Sequence, residues 1–68
     1  MDQMFVSPRQ LALVLGVAET TVRRWGAALD AVRFKGRVLI PIKSVREEFG
    51  DEAVEALRVL IDKERKNA

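Results

Sequence analysis

Arg23 and Arg24 stand side by side in a stretch, Glu19 to Leu29, whose apolar residues Val22, Trp25 and Leu29 recur at helical spacing. On a helix these three share one stripe. The opposite stripe is then Thr20, Arg24 and Ala27, flanked by Thr21, Arg23 and Ala28, with no acid among them. A guanidinium can bond bidentately to guanine or to a phosphate, a threonine can meet a base edge or a thymine methyl, and small alanines permit close approach to a groove. Arg24, nearest the centre of the stripe, is the expected base reader, and Arg23 at its flank the expected phosphate contact. Glu19 opens the helix, where its charge suits the dipole and where it could accept from cytosine N4. A second basic cluster, Lys35-Gly36-Arg37, reads as the tip of a hairpin between Val32-Arg33-Phe34 and Val38-Leu39-Ile40. Ser7 and Arg9, at the start of an earlier helix, are further candidate phosphate contacts.

Other chemistries are poorly provided for. Without a cysteine or a histidine the chain has no thiolate, disulfide or imidazole chemistry and lacks the usual zinc ligands. The carboxylates Glu47, Glu48, Asp51, Glu52 and Glu55 fall on expected helix starts, where solvation explains them better than a metal or an acid/base pair. No cofactor and no catalytic residue is expected. With 68 residues, one small core is all the chain can close, which leaves little to shape a deep pocket and favours binding through an exposed face.

The elements that must position these residues are readable in order. Ser7-Pro8-Arg9-Gln10 is a capping box with proline at the first helical position, and Val6 and Leu11 are placed as a hydrophobic staple across it. Leu11, Val14 and Leu15 repeat at helical spacing until Gly16, a candidate left-handed stop. The second helix is predicted to run from Ala18 or Glu19 toward Ala28 or Leu29, the hairpin follows, and Pro41 ends its second strand. Ser44-Val45-Arg46-Glu47 is read as a second capping box opening a short helix that buries Val45 and Phe49 and stops at Gly50. Asp51 is read as the cap of a last helix with an apolar stripe of Ala53, Val54, Leu57, Leu60 and Ile61. Expected core anchors are Leu11, Leu15, Val22, Trp25 and Phe49.

The formal charge of +2 conceals a division. Residues 1–46 carry eight Lys/Arg against three acids, or +5, and residues 47–68 carry four against seven, or −3. The basic part is a candidate polyanion surface. A domain over 1–50 and a C-terminal amphipathic helix over 51–68 are therefore distinguished. That helix packs on the domain, pairs with a second copy through Val54, Leu57, Val59, Leu60 and Ile61, or does both.

Two short helices joined at a glycine, followed by a basic hairpin, predict a mainly α fold with a β-hairpin wing: a winged helix-turn-helix. The run Leu15-Gly16-Val17-Ala18-Glu19-Thr20-Thr21-Val22-Arg23-Arg24-Trp25 resembles the signature of the excisionase and MerR-type winged helix-turn-helix family. Val32 to Arg37 is similar to that family's wing, and Ile40-Pro41 with Phe49 to the close of its core. Ala18 stands where the family usually has a capping serine, and Leu39 where a second wing arginine is frequent.

The resemblance implies a recognition helix in the major groove of double-stranded DNA and a wing on the adjacent backbone. It also implies a small non-catalytic factor that binds repeated sites cooperatively and directs an integrase or other recombinase. Such a protein would be cytoplasmic and nucleoid-associated, would self-associate on DNA and would have no membrane partner. A stand-alone transcriptional regulator or a plasmid-partition centromere binder is the alternative on the same fold. A protein-interaction adaptor using the last helix is the alternative of another class.

Overall fold

The computed structural model describes residues 5–66. In chain order these form β1 (Phe5–Val6), α1 (Pro8–Leu15), α2 (Glu19–Arg24), β2 (Val32–Phe34), β3 (Arg37–Pro41), α3 (Ile42–Phe49) and α4 (Asp51–Lys66). The result is a mainly helical domain of four helices with a three-stranded antiparallel sheet in the order β1-β3-β2. No helix among the described residues is long and apolar enough to cross a membrane.

Helix α1 forms where its cap requires. Ser7 Oγ accepts from the Gln10 N–H at 3.1 Å and Gln10 Oε1 accepts from the Ser7 N–H at 3.0 Å, so two orphan donors are satisfied reciprocally. Gly16 stops the helix at φ 72°, a left-handed geometry in which its own N–H and that of Val17 both bond to the Ala12 carbonyl. Val6 and Leu11, the two arms of the staple, are both fully buried.

The core joins residues from all four helices, from β1 and β3 and from the turn after α2: Val6, Leu11, Ala12, Val22, Leu29, Ile40, Val45, Ala53, Val54 and Leu57. Leu15, Trp25 and Phe49, expected as anchors, are half-buried at its margin. The Trp25 and Phe49 rings meet there with centroids 5.8 Å apart. Among the described residues no buried side-chain nitrogen or oxygen lacks a hydrogen-bond partner.

Four features depart from the sequence expectations. The two-residue strand β1, pairing Phe5 with Pro41 and Val6 with Ile40, is an addition, too short to carry an alternation signal. Helix α2 ends at Arg24 rather than near Leu29. From Trp25 the backbone tightens into i→i−3 bonds, Trp25 N to Val22 O and Gly26 N to Arg23 O, and it exits through Asp30 at φ 54°. Gly26, a weak helix former, sits where the winding changes, and the tighter turns still bring Leu29 into the core. Ala27 is thus on an exposed turn, not on the helix.

Helix α3 begins at Ile42 with Pro41 as its cap, so Ser44 caps nothing. Starting there aligns Ile42, Val45 and Phe49 on the core side, and buried Ser44 donates a long 3.5 Å bond to Asp30 Oδ2. Asp51 is likewise the first residue of α4 instead of its cap, and its carboxylate meets Arg46 Nε at 2.9 Å. Between the two helices Gly50 lies at φ 87°, ψ 175°, a region open essentially to glycine alone.

Of the two readings of α4, packing on the domain is the one observed. It packs against α1 and α3, burying Val54 and Leu57 in the chain's own core. Leu60 and Ile61 are half-buried, and of the five residues considered for self-association only Val59 is exposed. The reason is the thinness of the core over residues 5–50, which needs this face to close it. Leu57→Ala is accordingly expected to cost about 2–5 kcal/mol in thermal or urea unfolding, and Val59→Ala about 0.5 kcal/mol or less. Equal losses would remove α4 from the core. Helix α2 offers the opposite lever, since Ala18 at its cap makes no side-chain bond. Ala18→Ser should therefore raise stability by about 1 kcal/mol in the same unfolding assay.

Candidate functional site

Helices α1 and α2 are joined by the three residues 16–18, and Val22, fully buried, fixes α2 on its inner side. That leaves Thr20, Arg23, Arg24 and Ala27 exposed, with Thr21 half-buried beside them. Among the described residues Arg24 makes no hydrogen bond or ion pair, so its guanidinium is available in full. Arg23 differs: its Nε and one terminal nitrogen both donate to Glu19 Oε2, at 3.1 and 2.8 Å, one helical turn back. Glu19, considered above as an acceptor for cytosine, is thus occupied by its own helix.

The hairpin pairs Val32 with Leu39, Arg33 with Val38 and Phe34 with Arg37, leaving Lys35 and Gly36 as a two-residue turn. Both have positive φ, 52° and 76°, which is the requirement of a type I′ turn. Glycine meets it freely, whereas lysine adopts it at a cost of roughly 1 kcal/mol. The Lys35 ammonium lies 5.5 Å from the centre of the Phe34 ring. Register puts Val32, Phe34, Arg37 and Leu39 on one face of the sheet, and Val32 and Phe34 on that face are largely exposed. In the sequence these two are marked only as strand formers. A period of two identifies which residues share a face but not which face is covered.

Between the start of α1, α2 and β3 lies an open groove of about 490 Å³. Six of the sequence-designated residues line it: Ser7, Arg9, Glu19, Arg23, Gly36 and Arg37. Thr20, Thr21, Arg24, Ala27 and Lys35 lie outside it. The groove exists because β1 pairs only with Ile40 and Pro41, so Arg37 to Leu39 have no strand on that side. Arginines from three elements separated by up to 28 positions, Arg9, Arg23 and Arg37, therefore face one concavity. Such a surface can hold a run of phosphates, each guanidinium offering planar donors to the oxyanions.

One residue of the site carried no signal in the sequence. Glu64, near the end of α4, accepts from Arg9 at 2.6 Å and from Gln10 Nε2 at 3.0 Å. It lies 55 positions from Arg9, and nothing in local spacing predicts the pairing. The Gln10 amide, and then Arg9, hold the Glu64 carboxyl below its ordinary pKa, against a smaller opposing effect of burial. A carboxyl depressed in the folded state stabilises the fold above its unfolded pKa and loses that contribution as the pH falls through the folded value. Melting temperature should thus fall on acidification below the ordinary carboxylate range, and Glu64→Gln should flatten that fall measurably. An unchanged pH profile in the variant would show that the contact is not kept in solution.

Among the described residues no cluster of carboxylates could hold a metal ion. Comparison with protein-family models, with curated proteins and with solved structures finds no match to this chain.

Proposed function

We propose that the chain is a non-catalytic binder of double-stranded DNA, with α1 and α2 acting as a helix-turn-helix and the β2–β3 hairpin as its wing. The observation that carries this reading is the convergence of Arg9, Arg23 and Arg37 on one groove, between an exposed helix bearing unpaired Arg24 and a basic turn. An α-helix fits the major groove of B-DNA, about 12 Å wide, and the neighbouring backbone then falls where the groove and the hairpin lie. In this arrangement Arg24 and Thr20 reach base edges, while Arg37, Lys35 and the groove arginines meet phosphate.

The strained turn supports the same assignment. A lysine kept at φ 52°, where asparagine or glycine would be relaxed, places a cation at the tip of the hairpin in spite of the backbone strain. The finer role, an excisionase-like architectural factor acting with a recombinase on repeated sites, rests on the likeness of Leu15 to Trp25 to that family's signature. A domain whose largest extent is 30 Å spans less than one turn of the duplex, about 34 Å, so useful specificity calls for several copies or a partner on the same DNA.

Electrophoretic shifts across a salt series test the proposal. Five to seven phosphate contacts give a slope of about −4.5 to −6 for log affinity against log salt. Absence of binding, or binding indifferent to salt, would end it. Arg24→Ala should cost about 1–3 kcal/mol on a selected site and relax one base position, whereas Arg37→Ala should weaken all sequences alike. Lys35→Asn separates stability from binding: it relieves the strain but also loses the Phe34 contact, so it should leave the melting temperature nearly unchanged while lowering DNA affinity.

A further inference from the structure

We infer that Glu64 is a built-in competitor of DNA phosphate for Arg9, so that the last turns of α4 set how strongly the groove engages the backbone. The inference rests on the DNA-binding reading and adds a residue from a helix to which the family likeness does not extend. Three observations support it. Arg9 lines the groove, yet its guanidinium is held by the Glu64 carboxylate at 2.6 Å. The same carboxylate takes a second bond from Gln10 Nε2, and Gln10 is itself fixed by the Ser7 capping box, so the anion is seated at the start of α1 by anchored donors. Finally, Glu64 is carried by a helix that Leu57 and Val54 pin to the core, which fixes its distance from Arg9.

A carboxylate bound by an arginine and an amide at a helix start occupies the kind of seat that a phosphate takes. DNA that uses Arg9 must release it from Glu64, and the freed carboxylate then stands near the backbone as a like charge. Because both side chains are partly open to water, at 59% for Arg9 and 33% for Glu64, the exchange lies within reach of a phosphate. Arg23 is held differently, by Glu19 within one helix, and moves with it.

The test is a double-mutant cycle read as DNA affinity over a salt series, using the full chain with Glu64→Gln, Arg9→Ala and both. Glu55→Gln, which removes an exposed acid from the same helix, controls for net charge. Competition predicts that Glu64→Gln raises affinity about two- to fivefold and steepens the salt slope by up to about 0.9. It further predicts that this gain disappears in the Arg9→Ala background and that Glu55→Gln produces less of it. An equal gain with and without Arg9 would reduce Glu64 to a general electrostatic effect and overturn the inference. So would unchanged affinity in Glu64→Gln while the parent chain binds DNA. If neither the parent nor any variant binds DNA, the DNA reading falls and takes this one with it, an outcome distinct from both.

Discussion

The closure of the core by α4 is the interaction on which the rest depends. Residues 5–50 supply Val6, Leu11, Ala12, Val22, Leu29, Ile40 and Val45 as buried apolar groups, and Ala53, Val54 and Leu57 complete the set from the last helix. At roughly 25 cal/mol per Å² of apolar surface, a core of this size contributes only modestly beyond the entropy of ordering the chain. Removing three of its members would leave α1 and α3 without the helix that both pack against. The last helix is therefore a structural part of the domain, and its acidic surface is fixed in place by the same packing.

That fixed placement turns a division of charge along the sequence into a contact in space. The basic stretch and the acidic stretch meet at Arg9 and Glu64, and a second acid, Glu19, lies on Arg23 within the basic stretch itself. Two of the three groove arginines thus have a carboxylate partner, while Arg37 and the exposed Arg24 have none among the described residues. Exposed pairs of this kind are weak, enough to fix a side chain's direction but too little to withhold it from a polyanion. The groove is consequently less positive at rest than a count of its arginines suggests: of its three only Arg37 is free of a partner among the described residues, and the unpaired Arg24 lies outside it.

Much of this was legible in the residues, for reasons that differ by element. The start of α1 was readable because its cap, proline and staple are local and mutually consistent, and the hairpin because its turn and flanking β-formers agree. Helix α2 was overextended because Val22, Trp25 and Leu29 keep helical spacing even where the backbone has tightened past Gly26, and burial of Leu29 is satisfied by either winding. The supposed cap at Ser44 failed for a related reason. A capping pattern inside a stretch whose apolar residues begin earlier, at Ile42, is overruled by their burial. Local signals could not reach the groove itself or the seat of Glu64, both of which depend on the docking of elements far apart in the chain.

The turn at Lys35 and Gly36 shows how local economy and the proposed surface oppose one another. A two-residue hairpin matched to the twist of its strands needs positive φ at both positions, and asparagine-glycine would supply it with little strain. Here the first position is lysine at φ 52°, with its ammonium 5.5 Å from the Phe34 ring centre. The cation–π contact returns about 0.5–1 kcal/mol at an exposed site, comparable to the strain of the left-handed lysine. The two nearly cancel, so the hairpin tip holds a positive charge at almost no net loss in stability. Its reach is set by the backbone turn and its direction by the neighbouring aromatic. On a domain with so small a core this near-cancellation matters, because strain of a few kcal/mol at the tip would compete directly with the burial that Leu57 provides.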